Sequence, residues 1–240
     1  MSKGAVGVVA AALALVLVGA GTARAGTIVG GSDLLDSTSL AQLESWLGEG
    51  QLTLTNIYTK SAGDDSSDFH GAVDGKGRTF VVLEADVYSG SGADAIIGGY
   101  NPQSWHSGPT YWNYTPSLAD RTAFLFNLGT TTKLAQGMTT YVGHFQTYNH
   151  PDWGPTFGGG YDLSVEDELG SGYAGFHDYV VSGTQNVFGS SFYTDYYVGK
   201  LEVFSISPFV VVPLPASAWA GLGLLAALAA LQRVRRRRDR

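Results

Sequence analysis

The chain has 240 residues, no cysteine and a formal charge of −7. With residues 1–25 and 213–240 set aside, six basic face twenty acidic side chains, a net of −14; such a body has no electrostatic grip on a phosphate backbone, which excludes nucleic acid as a partner. The missing thiols exclude disulfides, thiolate metal sites and a cysteine nucleophile together, and 33 glycines with 12% aromatic but only 15% charged residues suit an exported β-rich fold better than a cytosolic helical enzyme.

Met1–Ala25 carries one early positive charge, Lys3, then an apolar run from Ala5 to Ala20, then Ala23-Arg24-Ala25 before Gly26. The pattern predicts a secretory signal peptide over 1–25, cut by signal peptidase after the small-x-small triplet Ala23 to Ala25. An uncleaved anchor is the alternative, because the apolar run is slightly long. In both cases the body, one domain over 26–210, crosses a membrane.

Ser37-Thr38-Ser39 precedes Leu40, Leu43, Trp46 and Leu47 at helical spacing, with Gly48 and Gly50 as stops. This predicts a short amphipathic helix capped by serine or threonine. Gln51 to Tyr58 alternates Leu52, Thr53, Leu54 and Thr55, the pattern of a half-buried strand. Asp64, Ser66 and Asp68 have the alternate spacing that begins a calcium loop, but Phe69 stands where glycine is required and Gly75 where the bidentate glutamate is required. The segment is therefore a polar turn in which Ser67 or Asp68 caps a helix from Phe69 to Val73. No second histidine follows His70 at ligand spacing, so no metal and no cofactor is expected.

Strands follow at Arg78–Val87, Ala95–Tyr100, Thr122–Leu128, Phe157–Leu163 and Lys200–Ile206. Many strands and few helices predict a mainly β chain of the α+β class, a two-layer antiparallel β-sandwich. A search for chemistry along it returns little. His70, His106, His144, His150 and His177 are scattered, and Gly90-Ser91-Gly92 and Gly170-Ser171-Gly172 read as loops and not as nucleophile elbows. Glu166-Asp167-Glu168 reads as a solvated acidic loop; glycoside hydrolysis would need two carboxylates about 5–10 Å apart across a cleft. No catalytic constellation emerges, so the chain is not expected to be an enzyme.

Two loops concentrate aromatics: Trp105, His106, Tyr111, Trp112 and Tyr114 in one, Tyr148, His150 and Trp153 in the other. Exposed, such rings stack on sugar faces or form a protein-binding hot spot; buried, they plug the ends of the sandwich. Trp105, Tyr111, Trp112 and Trp153 are the candidate ligand aromatics.

Phe69-His70, Gly75-Lys76-Gly77-Arg78-Thr79, Gly98-Gly99-Tyr100 with Trp105, Phe124-Leu125-Phe126, Phe157-Gly158-Gly159-Gly160-Tyr161-Asp162-Leu163 and Leu201-Glu202-Val203 follow one another as the corresponding pieces do in TLDc domains. Leu40 to Ile206 resembles that family. The resemblance implies a TLDc-type sandwich with Phe69, His70, Gly98, Gly99, Tyr100, Trp105, Phe157, Gly158, Gly159 and Asp162 as its fold-marking residues. Two departures stand out: Thr130 to Pro155 is longer and more aromatic than expected for the family, and an extra glycine precedes Tyr161. Eukaryotic TLDc proteins are linked with oxidative-stress protection and with the vacuolar proton pump, but no catalytic mechanism carries over, and a chain without cysteine has no thiol to scavenge oxidants.

The last 30 residues, 211–240, combine three parts. Val212-Pro213-Leu214-Pro215-Ala216-Ser217 is kept extended by its prolines. A transmembrane helix is predicted over 216–232, where Ala216 to Leu231 holds no ionisable group. Arg233, Arg235, Arg236, Arg237, Arg238 and Arg240 then stay on the cytoplasmic side. In this order they resemble a PEP-CTERM sorting tail of Gram-negative bacteria, with Leu214 where the name-giving glutamate would stand; an ordinary C-terminal anchor is the alternative. The resemblance implies recognition by an exosortase, a membrane-anchored intermediate and delivery to the cell surface or extracellular matrix. The expected function is a noncatalytic binding or structural module meeting exopolysaccharide or an envelope protein; the alternative is a carbohydrate-binding or carbohydrate-active sandwich working on exopolysaccharide.

Overall fold

The computed structural model describes residues 26–88, 95–139, 142–180 and 185–209. The expected signal peptide over 1–25, the expected sorting motif over 212–217, the expected 216–232 helix and the arginine-rich end lie outside the described residues; among the described ones no helix is long and apolar enough to cross a membrane.

Two α-helices are present among the described residues, each opened by an aspartate. Helix α1, Ser37–Leu47, is capped by Asp36, whose carboxylate accepts from the Ser39 amide at 2.8 Å, and it ends where Gly48 turns left-handed at φ 76°. Helix α2, Ser66–Val73, begins with a capping box: Asp65 accepts from the amides of Ser67 and Asp68, and the Asp68 carboxylate accepts from the Asp65 amide. The expected Ser or Thr cap of α1 gives way to Asp36, and the expected Ser67 or Asp68 cap of α2 to Asp65, which starts that helix at Ser66 and not at Phe69. A carboxylate supplies the same acceptor as a hydroxyl and adds a negative charge at the positive end of the helix dipole.

Thirteen strands follow in chain order: β1 Thr27–Val29, β2 Leu52–Thr59, β3 Thr79–Val87, β4 Ala95–Asn101, β5 Trp112–Tyr114, β6 Phe124–Asn127, β7 Thr132–Gln136, β8 Phe145–Tyr148, β9 Thr156–Phe157, β10 Leu163–Val165, β11 Ser171–Ala174, β12 Tyr179–Val180 and β13 Thr194–Pro208. All belong to one hydrogen-bonded sheet in the order β12-β7-β6-β4-β3-β13-β11-β10-β9-β8-β5, with β2 also on β13 and β1 parallel to β2. The remaining pairings are antiparallel. The two layers are therefore halves of a single sheet and not two separate sheets.

Strand β13 makes the fold possible. Its first residues pair with β11, its last with β2, and its other edge runs along β3. The β3 register shifts between Val198 and Leu201, where the strand passes from one neighbour to the other. A bulge sharpens bend and twist, so the β11-to-β5 half turns over the β3-β4-β6-β7 half. The buried cluster between them includes Val81, Leu83, Ile97, Leu125, Phe157, Leu163, Ala174 and Tyr196. A second cluster on the opposite face, with Phe80, Val82, Tyr100, Phe124 and Phe126, is covered by Leu40 and Leu43 of α1.

Gly98 and Gly99 explain why β4 can be crossed by rings on both faces. A β-carbon at Gly99 would lie 2.5 Å from the Phe157 ring, and one at Gly98 2.6 Å from the Phe126 ring. Phe157–Leu163, expected as one strand, is instead a hairpin: Phe157 ends β9, Leu163 starts β10, and the glycines between them turn, Gly158 at φ 79°.

Candidate functional site: an aromatic strip across the outer layer

Cross-strand register assembles the site. Trp112 of β5 lies opposite Tyr148 of β8, Tyr148 opposite Thr156 of β9, Thr156 opposite Ser164 of β10, Ser164 opposite Tyr173 of β11 and Tyr173 opposite Asp195 of β13. Residues directly opposite share a face, so the row reads aromatic, aromatic, small, small, aromatic, acidic. Their chain neighbours Phe157, Leu163 and Ala174 turn inward to the core.

The two small residues leave room above them. Tyr161, from the β9–β10 turn, stands between Tyr148 and Tyr173, with ring centroids 5.7 and 5.8 Å away. Trp153 stacks on it at 5.1 Å with the ring planes 5° apart. From Tyr148 the contacts continue to Trp112 at 4.4 Å and on to Phe145 and Tyr114; from Tyr173 they continue to Tyr193 and Phe176. Tyr111 closes on Tyr148 and His150 at one side. Most of these rings are half-buried, while Tyr193 is 64% and Tyr114 50% exposed. The result is a ribbon of touching, half-exposed rings running across the strands.

Its electrostatics are simple. Burial, then the neighbouring tyrosines, raise the Tyr148 phenol above its ordinary value and push Tyr173 up to about 12, so both remain neutral. Among the described residues the cation over an aromatic face is Lys133 on Phe124, away from the strip. Lys60, Lys133 and Arg121 point their charges at backbone carbonyls, and Arg78 and Lys200 at carboxylates.

Tyr161 is held in an uncommon conformation. Its φ is 52°, the left-handed region that costs a non-glycine residue about 1–2 kcal/mol. The adjoining side chain secures it: Asp162, fully buried, accepts from the amides of His177, Asp178 and Tyr179, the last two at 3.0 and 3.2 Å. Burial outweighs these bonds and raises the Asp162 carboxyl to about 6. Asp178 beside it accepts from the amides of Gly143 at 2.7 Å and Gly159 at 2.6 Å. One buried pair of carboxylates thus ties the β9–β10 turn to two other segments.

The expected site residues divide. Tyr111, Trp112 and Trp153 lie in the strip. Trp105 does not: it is fully buried, donates Nε1–H to Thr79 Oγ1 at 2.9 Å, and packs edge-on between Phe69 and Phe157. Its large indole fills the space between α2 and the folded sheet, which removes it from the candidate ligand aromatics. Phe145, Tyr161, Tyr173 and Tyr193 were missed; their one trace in the sequence is an aromatic beside glycines or at alternate positions, visible for Tyr173 in Ser171–Ala174.

The polar groups around the strip pair mostly with one another: the Tyr114 hydroxyl meets His144 Nδ1 at 2.6 Å, and His150 Nδ1 lies 3.8 Å from Asp152. His70 bonds Asp74 at 2.8 Å through Nδ1, but its Nε2 faces the carbonyls of His150 and Trp153, each at 3.2 Å, and not a hydroxyl. A shallow cavity of about 430 Å³ beside it is lined by Ser67, Gly71, Ser107 and Pro151. Asp167 accepts from Ser66 at the start of α2, and Glu166 from Ser171 across its own turn at 2.6 Å, while Glu168 is exposed. Among the described residues no group of three His, Cys, Asp or Glu is placed to hold a metal.

A mainly antiparallel sheet folded on itself, flanked by two helices and carrying a ring-lined outer face, defines the class. The TLDc domain family matches residues 28–207, three quarters of the chain, and the protein belongs to that family. No curated protein matches it.

Proposed function

We propose that the protein is an exported, noncatalytic TLDc module, sorted by an exosortase to the cell surface or extracellular matrix, where it works by binding an envelope or matrix component. The aromatic strip carries the binding half of this reading: a ribbon of touching, half-exposed rings laid across the strands of the sheet. Contiguous exposed aromatic surface marks interaction sites. The delivery half is supported by the two ends of the sequence, an apolar leader before Gly26 and the proline motif, apolar run and arginines of 212–240. Signal peptidase, the exosortase and the membrane are its partners in transit.

The test is an epitope placed just upstream of Val212 and probed on intact cells. Surface labelling that disappears when Pro213 and Pro215 are both changed to Ala is the expected result. A reporter at that position active only in the cytoplasm refutes the delivery. Turnover of a glycosidic or ester substrate that is lost in Glu166→Gln or Asp167→Asn refutes the noncatalytic assignment.

A further inference from the structure

We infer that the strip takes one extended strand of an uncharged polysaccharide, with Tyr161 as its central platform; this rests on the binding-module reading above and names its ligand class. Three observations lead there.

The first is shape. The rings follow one another across β5, β8, β9, β10 and β11 in a line, with Trp112, Tyr148, Tyr161 and Tyr173 in sequence. The ring centroids step by 4.4, 5.7 and 5.8 Å with their planes 40°, 70° and 69° apart, a spacing on the scale of one pyranose unit, so an extended chain laid across the strands meets a face or an edge of each ring in turn. A linear polymer fits such a line better than a globular partner, whose hot spots cluster inside a surrounding rim.

The second is chemistry. Tyrosine and tryptophan offer an apolar face for the C–H side of a pyranose and a polar edge for its hydroxyls. Among the described residues five of the six cations are engaged with protein oxygens, Lys60, Lys133 and Arg121 at carbonyls and Arg78 and Lys200 at carboxylates, whereas Asp195 stands directly beside Tyr173 in the row and Asp152, 75% exposed in its side chain, next to Trp153. An anionic chain would be repelled.

The third is strain. Three glycines precede Tyr161, yet the left-handed position itself carries the tyrosine, at φ 52°. Glycine would sit there without cost. Strain retained where a cheaper residue is at hand points to a use for the side chain, and this ring joins the two ends of the strip.

The experiment is affinity electrophoresis of the full chain in a nonionic detergent, through gels containing hydroxyethyl cellulose, galactomannan, dextran or alginate. Retardation by at least one uncharged polymer, none by alginate, and tighter binding of longer oligosaccharides of the retarding polymer are expected. Tyr161→Gly should weaken binding about tenfold, the scale of one aromatic stacking contact, while its urea midpoint should move little, since relief of the left-handed backbone offsets the lost contacts with Trp153, Tyr148 and Tyr173. Trp112→Ala, at the edge strand, should weaken binding similarly. Equal retardation by alginate, no retardation by any uncharged polymer, or undiminished binding by both variants overturns the inference. If the wild type still adheres to cell envelopes while no uncharged polymer retards it, the ligand class is wrong and the binding module stands. If it adheres to neither, both fall.

Discussion

Asp162 offers the most direct measurement of how the turn beneath the strip is held. Asp162→Ala leaves the buried amides of His177, Asp178 and Tyr179 without their acceptor; at about 1–3 kcal/mol for each orphaned donor, the loss is at least about 3 kcal/mol. Asp162→Asn keeps an oxygen for those amides and removes the buried charge. The sign follows from the raised carboxyl. The native state holds its proton up to about pH 6, the unfolded chain only to 3.8, so this group's contribution is most favourable below 3.8 and declines as pH rises through 6. The whole decline is worth about 3 kcal/mol, at 1.36 kcal/mol per unit. Urea denaturation followed by tryptophan fluorescence at pH 4 and pH 8 gives both terms. The wild type should lose stability relative to the Asn variant between those two values, and the Ala variant should be weakest at pH 4. An Asn variant destabilised at pH 8 as much as the Ala variant would show that the ionised carboxylate is favourable where it stands, and the reasoning from burial would be refuted.

Other substitutions test the frame around the strip. Gly99→Ala drives a methyl against the Phe157 ring, 2.5 Å away, and should cost about 1–3 kcal/mol by overpacking, partly recovered in a double variant with Phe157→Leu; the urea midpoint reads both. Trp105→Phe removes the donor to Thr79 Oγ1 and leaves a void, a loss of about 2–4 kcal/mol, with the midpoint lowered and the affinity of the strip unchanged in the folded fraction. Arg121→Met strips the carbonyls of Thr115, Gly137, Thr139 and Val142 of their donors; a loss of at least about 2 kcal/mol and faster amide exchange at 137–139 are expected.

The sequence makes the long elements legible and the short ones invisible. Helix α1, strands β2, β3 and β4 and the Lys200–Ile206 part of β13 announce themselves through consecutive apolar residues, whereas Thr194–Gly199, the part of β13 that turns to β11, does not. Thr156–Phe157 of β9 and Tyr179–Val180 of β12 are too short for any period to register. The caps were misplaced because Asp65, Ser66, Ser67 and Asp68 all suit an N-terminus, and which one acts depends on where the helix docks. Exposed and buried roles stay open for Trp105 in the sequence, because its partner Thr79 lies 26 residues upstream, a contact that no local pattern encodes. The strip was half visible for the same reason. Tyr111, Trp112, Tyr148 and Trp153 sit in two dense clusters, whereas Tyr161, Tyr173 and Tyr193 reach them only through the pairing of β8 to β11.

That pairing also places two aromatic systems on opposite sides of the same strands, and the inner one accounts for the stiffness of the outer. Phe69, Trp105, Phe157 and Tyr179 form an edge-to-face series through the core, and the Tyr179 hydroxyl donates to the Gln146 carbonyl at 2.6 Å. Gln146 lies in β8 between the two outward rings Phe145 and Tyr148, and Phe157 closes the strand from which the turn to Tyr161 departs. A shift of the outer rings would therefore have to move buried ones, which close packing resists. Rings fixed in this way lose little side-chain freedom when a ligand settles on them, so more of each contact survives as affinity. The fully buried Asp162 node and the left-handed Tyr161 belong to this arrangement: the fold accepts a locally unfavourable backbone and a buried carboxylate where they hold the outer row of rings in place.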